Sequence, residues 1–334
     1  MRILRIHAYV KTLAAKGQVN CVCCNGIAKR RGFYRNKNFN VQRFECLKCG
    51  TSFSDRQPLD NLRVDFKAAC QVANMLCEGL GIRAVSRLTG LHQQTVLNVL
   101  ARAGSKAGRF MDLNIREIVP ESVQADEMFC YVGCKDTTNR RRDPFKGSQY
   151  LFMAIDSKSK LIISHVIGQR TAANTEALLN DLKHRVSGRF QLTTDGFDAY
   201  KVAVPRTIGK DIDFAQEVKR YASNKESENP YRRYSPPRCI GHRIHIRRGN
   251  PNPDLISTAY MERTNLTVRM FNRRFTRLTL GYSKKFEYLI HSINLMVFYY
   301  NFIHVHKTHG QTPAQAAGLA DHQMTFSEML LTPD

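Results

Sequence analysis

SVQADEMFCYVG, residues 122–133, is the stretch on which the reading of the fold turns. Aromatic and β-branched residues favour a half-buried strand, whereas carboxylates are poor strand formers. Asp126 therefore interrupts a strand that would otherwise be unremarkable, which gives it a functional weight. Side chains alternate between the two faces of a strand, so Glu127 is expected on the face opposite Asp126. Two apolar runs follow, QYLFMAID (149–156) and KLIISHVIG (160–168), joined by Ser157-Lys158-Ser159 as in a hairpin of a meander. An amphipathic helix with Ala173, Ala177, Leu178 and Leu182 on one side leads to RFQLTT (189–194), a short strand ending at Asp195-Gly196. A short helix, a further strand at IDFAQEV (212–218) and a basic loop come before a long helix containing Glu262.

The order β-β-β-α-β-α-β-α predicts an α/β (α+β) domain with a mixed sheet. A strand that arrives after a crossover helix can pair in parallel with the first strand, and Asp195 then approaches Asp126. A helix packed on the sheet brings Glu262 to the same edge. Three converging carboxylates repel one another unless cations are bound, and hard oxygen ligands suit Mg²⁺ or Mn²⁺. Two such ions about 4 Å apart activate a nucleophile and stabilise a leaving oxygen in phosphoryl transfer. Asp195-Gly196 alone is an ordinary turn signal; its place after the fourth strand gives it weight. Glu262, Asn265, Arg269 and Arg273 fall on one helical face, with Val268, Phe271, Phe275 and Leu278 on the opposite one. A face carrying carboxylate, amide and guanidinium suits metal plus phosphate.

Four regions are expected: 1–60, 61–112, 113–310 and a short peripheral tail, 311–334. The first holds Cys21-x-x-Cys24 and Cys46-x-x-Cys49-Gly50, two thiolate pairs with the spacing of a tetrahedral Zn²⁺ site. Cys23 adjoins Cys24 and competes with it as a ligand. This reads as a zinc ribbon. In the second region, GIRAVSRLTGLHQQTVLNVLARAG (81–104) has the pattern of two helices, near 82–88 and 93–103, about a turn at Thr89-Gly90. As a helix-turn-helix it would enter the major groove of double-stranded DNA with Gln93, Gln94 and Asn98 at base edges and Arg102 behind them. Cys70 and Cys77 on the preceding helix read as buried thiols.

Lys and Arg number 51 against 28 Asp and Glu, a net charge of +23 in 334 residues, which implies a polyanionic partner. The basic residues run along the whole chain instead of beside one apolar segment, which favours nucleic acid over a membrane surface. The loop from Tyr221 to Pro253, with Arg232, Arg233, Arg238, Arg243, Arg247 and Arg248, is expected to hold DNA, as are Arg140 to Arg142. The N-terminal residues are broken by Arg and His before any run of signal-peptide length, and the apolar stretch 286–303 contains Glu287, His291, Asn294 and Asn301. It reads as a buried helix, and no membrane span is expected. Paired CxxC units in a basic chain point to a reducing compartment.

The stretches ADEMFCYVG, LTTDGFDAY and STAYMERTNLTVRMFNRRFTRLT, followed by FYYNFIHVHKTHGQTPAQAAG, resemble insertion-sequence transposases of the IS-one type, members of the DDE superfamily. The resemblance extends over the ribbon and the helix-turn-helix, and so over nearly the whole chain. It implies an RNase H-like catalytic domain, with Asp126, Asp195 and Glu262 as metal ligands and Asn265 and Arg269 in support. It further implies cleavage at the 3′ ends of a mobile element, strand transfer into target DNA, a dimer or larger homo-oligomer, and a cytoplasmic, nucleoid-associated protein of a prokaryotic host. A catalytically inactive DNA-binding regulator and a structure-specific nuclease of the same fold remain as alternatives.

Overall fold

The computed structural model describes residues 19–20, 26–35, 40–54, 62, 64–139, 143–221, 239–277 and 279–332. Arg140 to Arg142, Arg232, Arg233, Arg238, Cys21, Cys23 and Cys24 lie outside them.

Strands β1 (Val19–Asn20), β2 (Ile27–Arg35), β3 (Asn40–Cys46) and β4 (Ser52–Ser54) form an antiparallel sheet in that order. Among its residues whose burial is described, Ala28, Phe44 and Cys46 are buried. The chain then forms α1 (Phe66–Cys77), α2 (Ile82–Thr89) and α3 (Gln93–Asn114). Asp65 caps α1 by accepting from the Ala68 N–H at 3.1 Å. Gly90 ends α2 in the left-handed conformation, φ 71°, which a residue without a Cβ adopts at low cost. Val85 on one side of this turn and Val96 and Leu100 on the other are buried in one core.

α3 runs eleven residues beyond the expected end at Ala103, to Asn114. Gly104, one residue past that expected end, is a packing position. A Cβ there would lie 2.2 Å from the carbonyl oxygen of His291 on α7 (Phe286–Phe298), so only glycine allows the two helices to come this close. Phe110 of α3 packs edge-on against Phe298 and Phe302. Leu289, Ile293, Leu295, Met296, Val297 and Phe298 of α7 are buried, each worth about 1.5–3 kcal/mol relative to exposure. The helix continues into a π-turn at Tyr299–Ile303 and is buried, as expected, with Asn294 bonded to His165 at 2.9 Å. Among the described residues no helix is long and apolar enough to cross a membrane.

The second sheet has six strands, β5 (Ser122–Val132), β6 (Gly147–Asp156), β7 (Ile162–Gly168), β8 (Phe190–Thr194), β9 (Ile212–Tyr221) and β10 (Cys239–Arg248), in the order β10-β9-β8-β5-β6-β7. β5, β6 and β7 form the expected antiparallel meander. After α4 (Ala172–Arg185), β8 pairs in parallel with β5, and after α5 (Ala199–Thr207), β9 pairs in parallel with β8. This mixed α/β sheet is consistent with an RNase H-like fold. The outer edge of β7 is closed by Asn301, whose side chain accepts from the Ile162 N–H and donates to the Ile162 carbonyl, each at 2.9 Å. Ser164 hydrogen-bonds towards α4 and His165 towards α7, so helices cover both faces.

Three expectations change. Part of the basic loop 221–253 is a strand, β10 (Cys239–Arg248), paired antiparallel with β9. Ile240, Ile244 and Ile246 alternate there with basic residues, a period of two that the charge obscures. The helix carrying Glu262, α6 (Ala259–Phe271), ends at Asn272, and Arg273 to Phe275 form a separate 3₁₀ turn. Arg273 therefore does not continue the face of Glu262 and Asn265. The last residues are not peripheral: α8 (Pro313–Ala316) and α9 (Phe326–Leu331) begin with capping boxes, and Phe326, Met329 and Leu330 are buried in the core shared by α1, α3 and the sheet.

Candidate functional site

The parallel register sets Ala125 of β5 opposite Thr194 of β8, so the next residues, Asp126 and Asp195, stand side by side where β8 ends. Asp195 is held by its own turn, its Oδ1 accepting from the Phe197 N–H at 2.9 Å. Gly196 follows with little room, since a Cβ there would lie 2.9 Å from Val218 Cγ2 and one of the two would have to shift. The buried Gln216 of β9 fixes the same turn from below. Its Nε2 donates to the carbonyls of Asp195 at 2.8 Å and Phe197 at 3.2 Å, and its Oε1 accepts from Arg247 Nε at 3.0 Å.

Asp126 accepts from the Glu127 N–H at 2.8 Å and from Asn265 Nδ2 at 2.8 Å. Burial, and next to it the charge of Asp195, push its pKa up to about 6, against the opposing pull of those two hydrogen bonds. Asn265 belongs to α6, whose first turn the sheet anchors. Gln124 Oε1 accepts from the Met261 N–H at 3.0 Å, and Glu217 Oε2 accepts from the Thr258 N–H and hydroxyl at 2.9 Å each. These acceptors satisfy N–H groups that a helix start leaves free.

Glu127 corrects the expectation that alternation removes it from the site. Its carboxylate joins those of Asp126 and Asp195, with ligand oxygens of all three within 4.8 Å of one another. The Cβ directions still alternate, but β8 stops at Thr194 and leaves a gap beside β5. The longer glutamate side chain can reach round the end of that strand. It is 1% exposed, and its Oε1 lies without a well-formed hydrogen bond beside the buried hydroxyl of Tyr200 on α5. Burial, then the charge of Asp195, push its pKa up to about 7. Arg170, between β7 and α4, opposes this: its NH2 lies 3.1 Å from Glu127 Oε2 and 3.7 Å from Asp195 Oδ2. The guanidinium also lies 4.0 Å from the centre of the Phe197 ring. Arg170 was not singled out in the sequence; a lone Arg after a strand carries no signal there.

Glu262 is not one of the converging three. Its side chain is 50% exposed and ion-paired with Lys219 of β9, with the Thr258 hydroxyl 3.4 Å away. It is near enough for its charge to raise the pKa of Asp126. Arg269, two turns along α6, also senses Asp126, although burial holds its pKa below the usual guanidinium range.

The donor set fits a divalent cation. Two carboxylates whose pKa values are raised by burial first and by the charge of Asp195 next, with Arg170 as a cation facing Glu127 and Asp195 but not Asp126, are hard oxygen ligands short of positive charge.

Elsewhere, Cys46 Sγ accepts from the N–H groups of Lys48 and Cys49 at 3.3 and 3.4 Å, and Gly50 follows at φ 71°. The other half of the expected zinc site, Cys21 and Cys24, lies outside the described residues. Gln93, Gln94 and Arg102 are exposed on α3, and Gln94 donates to Asn98 at 3.0 Å. Arg243 and Arg247 are exposed on β10, and Arg248 is half-buried. Arg273 is half-buried beside Gly81 and Gly281.

No family model matches the chain and no curated protein matches it. Among solved structures it is similar to the piggyBac transposase in a cryo-EM synaptic complex with hairpin DNA, at 11% identity and a TM-score of 0.26 over 75% of this chain and 55% of that one. It is also similar to a pre-cleavage Mos1 transpososome, at 13% identity and a TM-score of 0.22 over 68% of this chain and 74% of that one. The chain thus spans about half the length of the piggyBac chain. Overlaps of this size assign neither a family nor an activity.

Proposed function

We propose that the chain is a DDE-type DNA transposase that carries out divalent-metal-dependent phosphoryl transfer on DNA. The observation that carries this reading is the placing of Asp126 and Asp195 side by side on parallel strands, with Asn265 of α6 bonded to one of them. The net charge of +23 supports a DNA substrate, and the sequence resemblance supports the reaction class.

Asp126 and Asp195 would hold the cation, with Glu127 as a third oxygen ligand in the protein without DNA. A bound Mg²⁺ or Mn²⁺ supplies Lewis-acid stabilisation of the phosphate and a more acidic water or 3′-hydroxyl, and two ions suit both halves of the displacement. Asn265 orients Asp126 through its Oδ2, leaving lone pairs for the metal. Gln216 holds the Asp195 turn. Lys219 neutralises Glu262 in the absence of DNA; a phosphate that draws Lys219 away frees Glu262 to act as the third acid of the working site. Arg269 offers a guanidinium to a phosphate beside Asp126. Hydrolysis at the ends of the element would expose 3′-hydroxyls, which then attack target DNA.

In this reading Gln93, Gln94, Asn98 and Arg102 meet the terminal repeats of the element. Arg232, Arg233, Arg247 and Arg248, together with Arg273, contact phosphate. Cys21, Cys24, Cys46 and Cys49 hold structural Zn²⁺, and a homo-oligomer pairs two ends in the nucleoid of a prokaryotic host. The deciding experiment is Mg²⁺- or Mn²⁺-dependent cleavage and joining of DNA carrying the element's ends, with Asp126→Asn and Asp195→Asn as controls.

A further inference from the structure

Beyond the acidic site, β5 continues into a row of aromatic side chains in which Phe129 is exposed and Tyr131, Tyr150 and Tyr282 are half-buried. Residues two apart on a strand share a face, so Glu127, Phe129 and Tyr131 line up, rising about 3.4 Å per residue away from the carboxylates. Phe129 is 51% exposed, an unusual position for a large apolar ring at the end of an otherwise buried strand. Its ring lies 5.5 Å from that of Tyr150, opposite it on β6, and 6.4 Å from that of Tyr131. Tyr131 in turn lies 4.4 Å from Tyr282, whose outer ring face carries Lys284 Nζ at 3.8 Å. At the other end Arg170 lies 5.9 Å from the Tyr150 ring centre and bridges to Glu127 and Asp195. The row therefore runs unbroken from the acidic cluster to Lys284, with a cation at each end.

A structural aromatic cluster would be covered. This one is open at Phe129, and beyond Glu127 the charged side chains along it are Arg170, Lys284 and Lys146, the last 3.4 Å from Asp143 and lying beside the Gly133 turn next to Lys284. Flat rings at intervals along a strand, with cations beside them, match the π-faces and phosphates of unpaired nucleotides. Duplex DNA offers no exposed base faces to such a row, and an acidic protein would not need the rings.

We propose that Phe129, Tyr131, Tyr150 and Tyr282 form a stacking platform for single-stranded DNA, which receives the unpaired nucleotides flanking the scissile phosphate. This deepens the transposase reading and rests on it for the identity of the strand. Arg170 then marks the junction, where the backbone passes from the rings to the carboxylates.

The test is fluorescence anisotropy of the full chain, without added divalent metal, with an oligothymidylate of about 12 nucleotides and with a blunt hairpin duplex as the second probe. Phe129→Ala and Tyr131→Ala are each expected to weaken single-strand binding about 5-fold or more, and to change duplex binding less than twofold. Phe129→Tyr, which keeps a ring on a half-exposed site, is expected to bind single strands within about twofold of the wild type. Unchanged single-strand affinity in the two alanine variants, or equal losses on both probes, would overturn the proposal. So would loss of binding in Phe129→Tyr. The underlying reading fails separately: a wild type that binds single strands through these rings but cleaves no DNA with Mg²⁺ or Mn²⁺ would remove the transposase assignment and leave the platform standing.

Discussion

The side-chain amide of Gln216 donates to the main-chain carbonyl of Asp195 at 2.8 Å, so a fully buried residue of β9 sets the position of an acid at the end of β8. The same side chain accepts from Arg247 of β10, which links the acidic turn to the basic edge strand. Replacing it by Leu removes the donor from two carbonyls and the acceptor from a guanidinium. Unsatisfied buried partners cost about 1–3 kcal/mol. Gln216→Leu is expected to lower the melting temperature by several degrees, to raise the metal concentration for half-maximal cleavage, and to reduce cleavage at least tenfold. A cleavage rate and metal requirement equal to the wild type's would show that the turn holds itself.

Glu127 and Glu262 should separate in their effects. Glu127 stands with Asp126 and Asp195 while Glu262 is engaged by Lys219. Titration of the DNA-free protein with Mn²⁺ is expected to show at least tenfold weaker binding for Glu127→Gln and a change of less than about twofold for Glu262→Gln. Cleavage is expected to fall in both. Strong loss of Mn²⁺ affinity in Glu262→Gln alone would mean that Glu262 has already left Lys219 in solution.

The pH dependence follows from the two raised carboxyls. With folded-state pKa values of about 6 for Asp126 and about 7 for Glu127, both above their ordinary range, the native state binds more protons than the unfolded state. Stability from these groups is present below the unfolded pKa, near pH 4, and is lost as pH rises through about 6 to 7. Without added Mg²⁺ or Mn²⁺ the melting temperature should therefore fall between about pH 5 and pH 7.5. Either ion should reverse the fall by binding the deprotonated form, and Asp126→Asn should flatten the slope. A metal-free melting temperature that rises across this window in the wild type and in Asp126→Asn alike would contradict the assigned environment.

Two structural predictions lie away from the carboxylates. Gly104→Ala places a methyl 2.2 Å from the His291 carbonyl and is expected to destabilise the chain by about 1–3 kcal/mol in denaturant unfolding, by pushing α3 from α7. An unaffected midpoint would mean that the helices separate easily.

Cys46→Ser is expected to remove zinc from the purified chain and to leave the six-stranded sheet folded, because Cys46 belongs to the four-stranded sheet and is absent from the main core. Metal analysis checks the first and near-ultraviolet circular dichroism the second. Unaltered zinc content would exclude Cys46 as a ligand.

Much of the sheet could be read from the chain. The apolar runs of β5 to β8 have strand periodicity, and the crossover helix between β7 and β8 makes a parallel pairing the natural outcome, so the sequence alone matches Asp126 with Asp195. Glu127 could not be placed, because alternation gives the direction of a Cβ and not the reach of a side chain past the end of a neighbouring strand. Arg170 was hidden for a similar reason: its partners are 43 and 25 residues away in the chain and meet it only through the sheet. β10 was masked by its charge, and α3 by a glycine that serves packing. The break after Phe271 turns on Asn272, whose side chain leaves the helix to bond Ser292 and cap the next turn, a tertiary contact that no local pattern announces.

The central claim is that Asp126 and Asp195 form one metal-dependent centre acting on DNA. Its most direct measurement is cleavage and strand transfer by the purified full chain on DNA bearing the element's ends, with Mg²⁺ or Mn²⁺, comparing the wild type with Asp126→Asn and Asp195→Asn. Metal-dependent 3′-end cleavage and joining in the wild type, reduced at least a thousandfold in each variant, is the predicted result. Activity that survives both substitutions, or that needs no divalent ion, would contradict it.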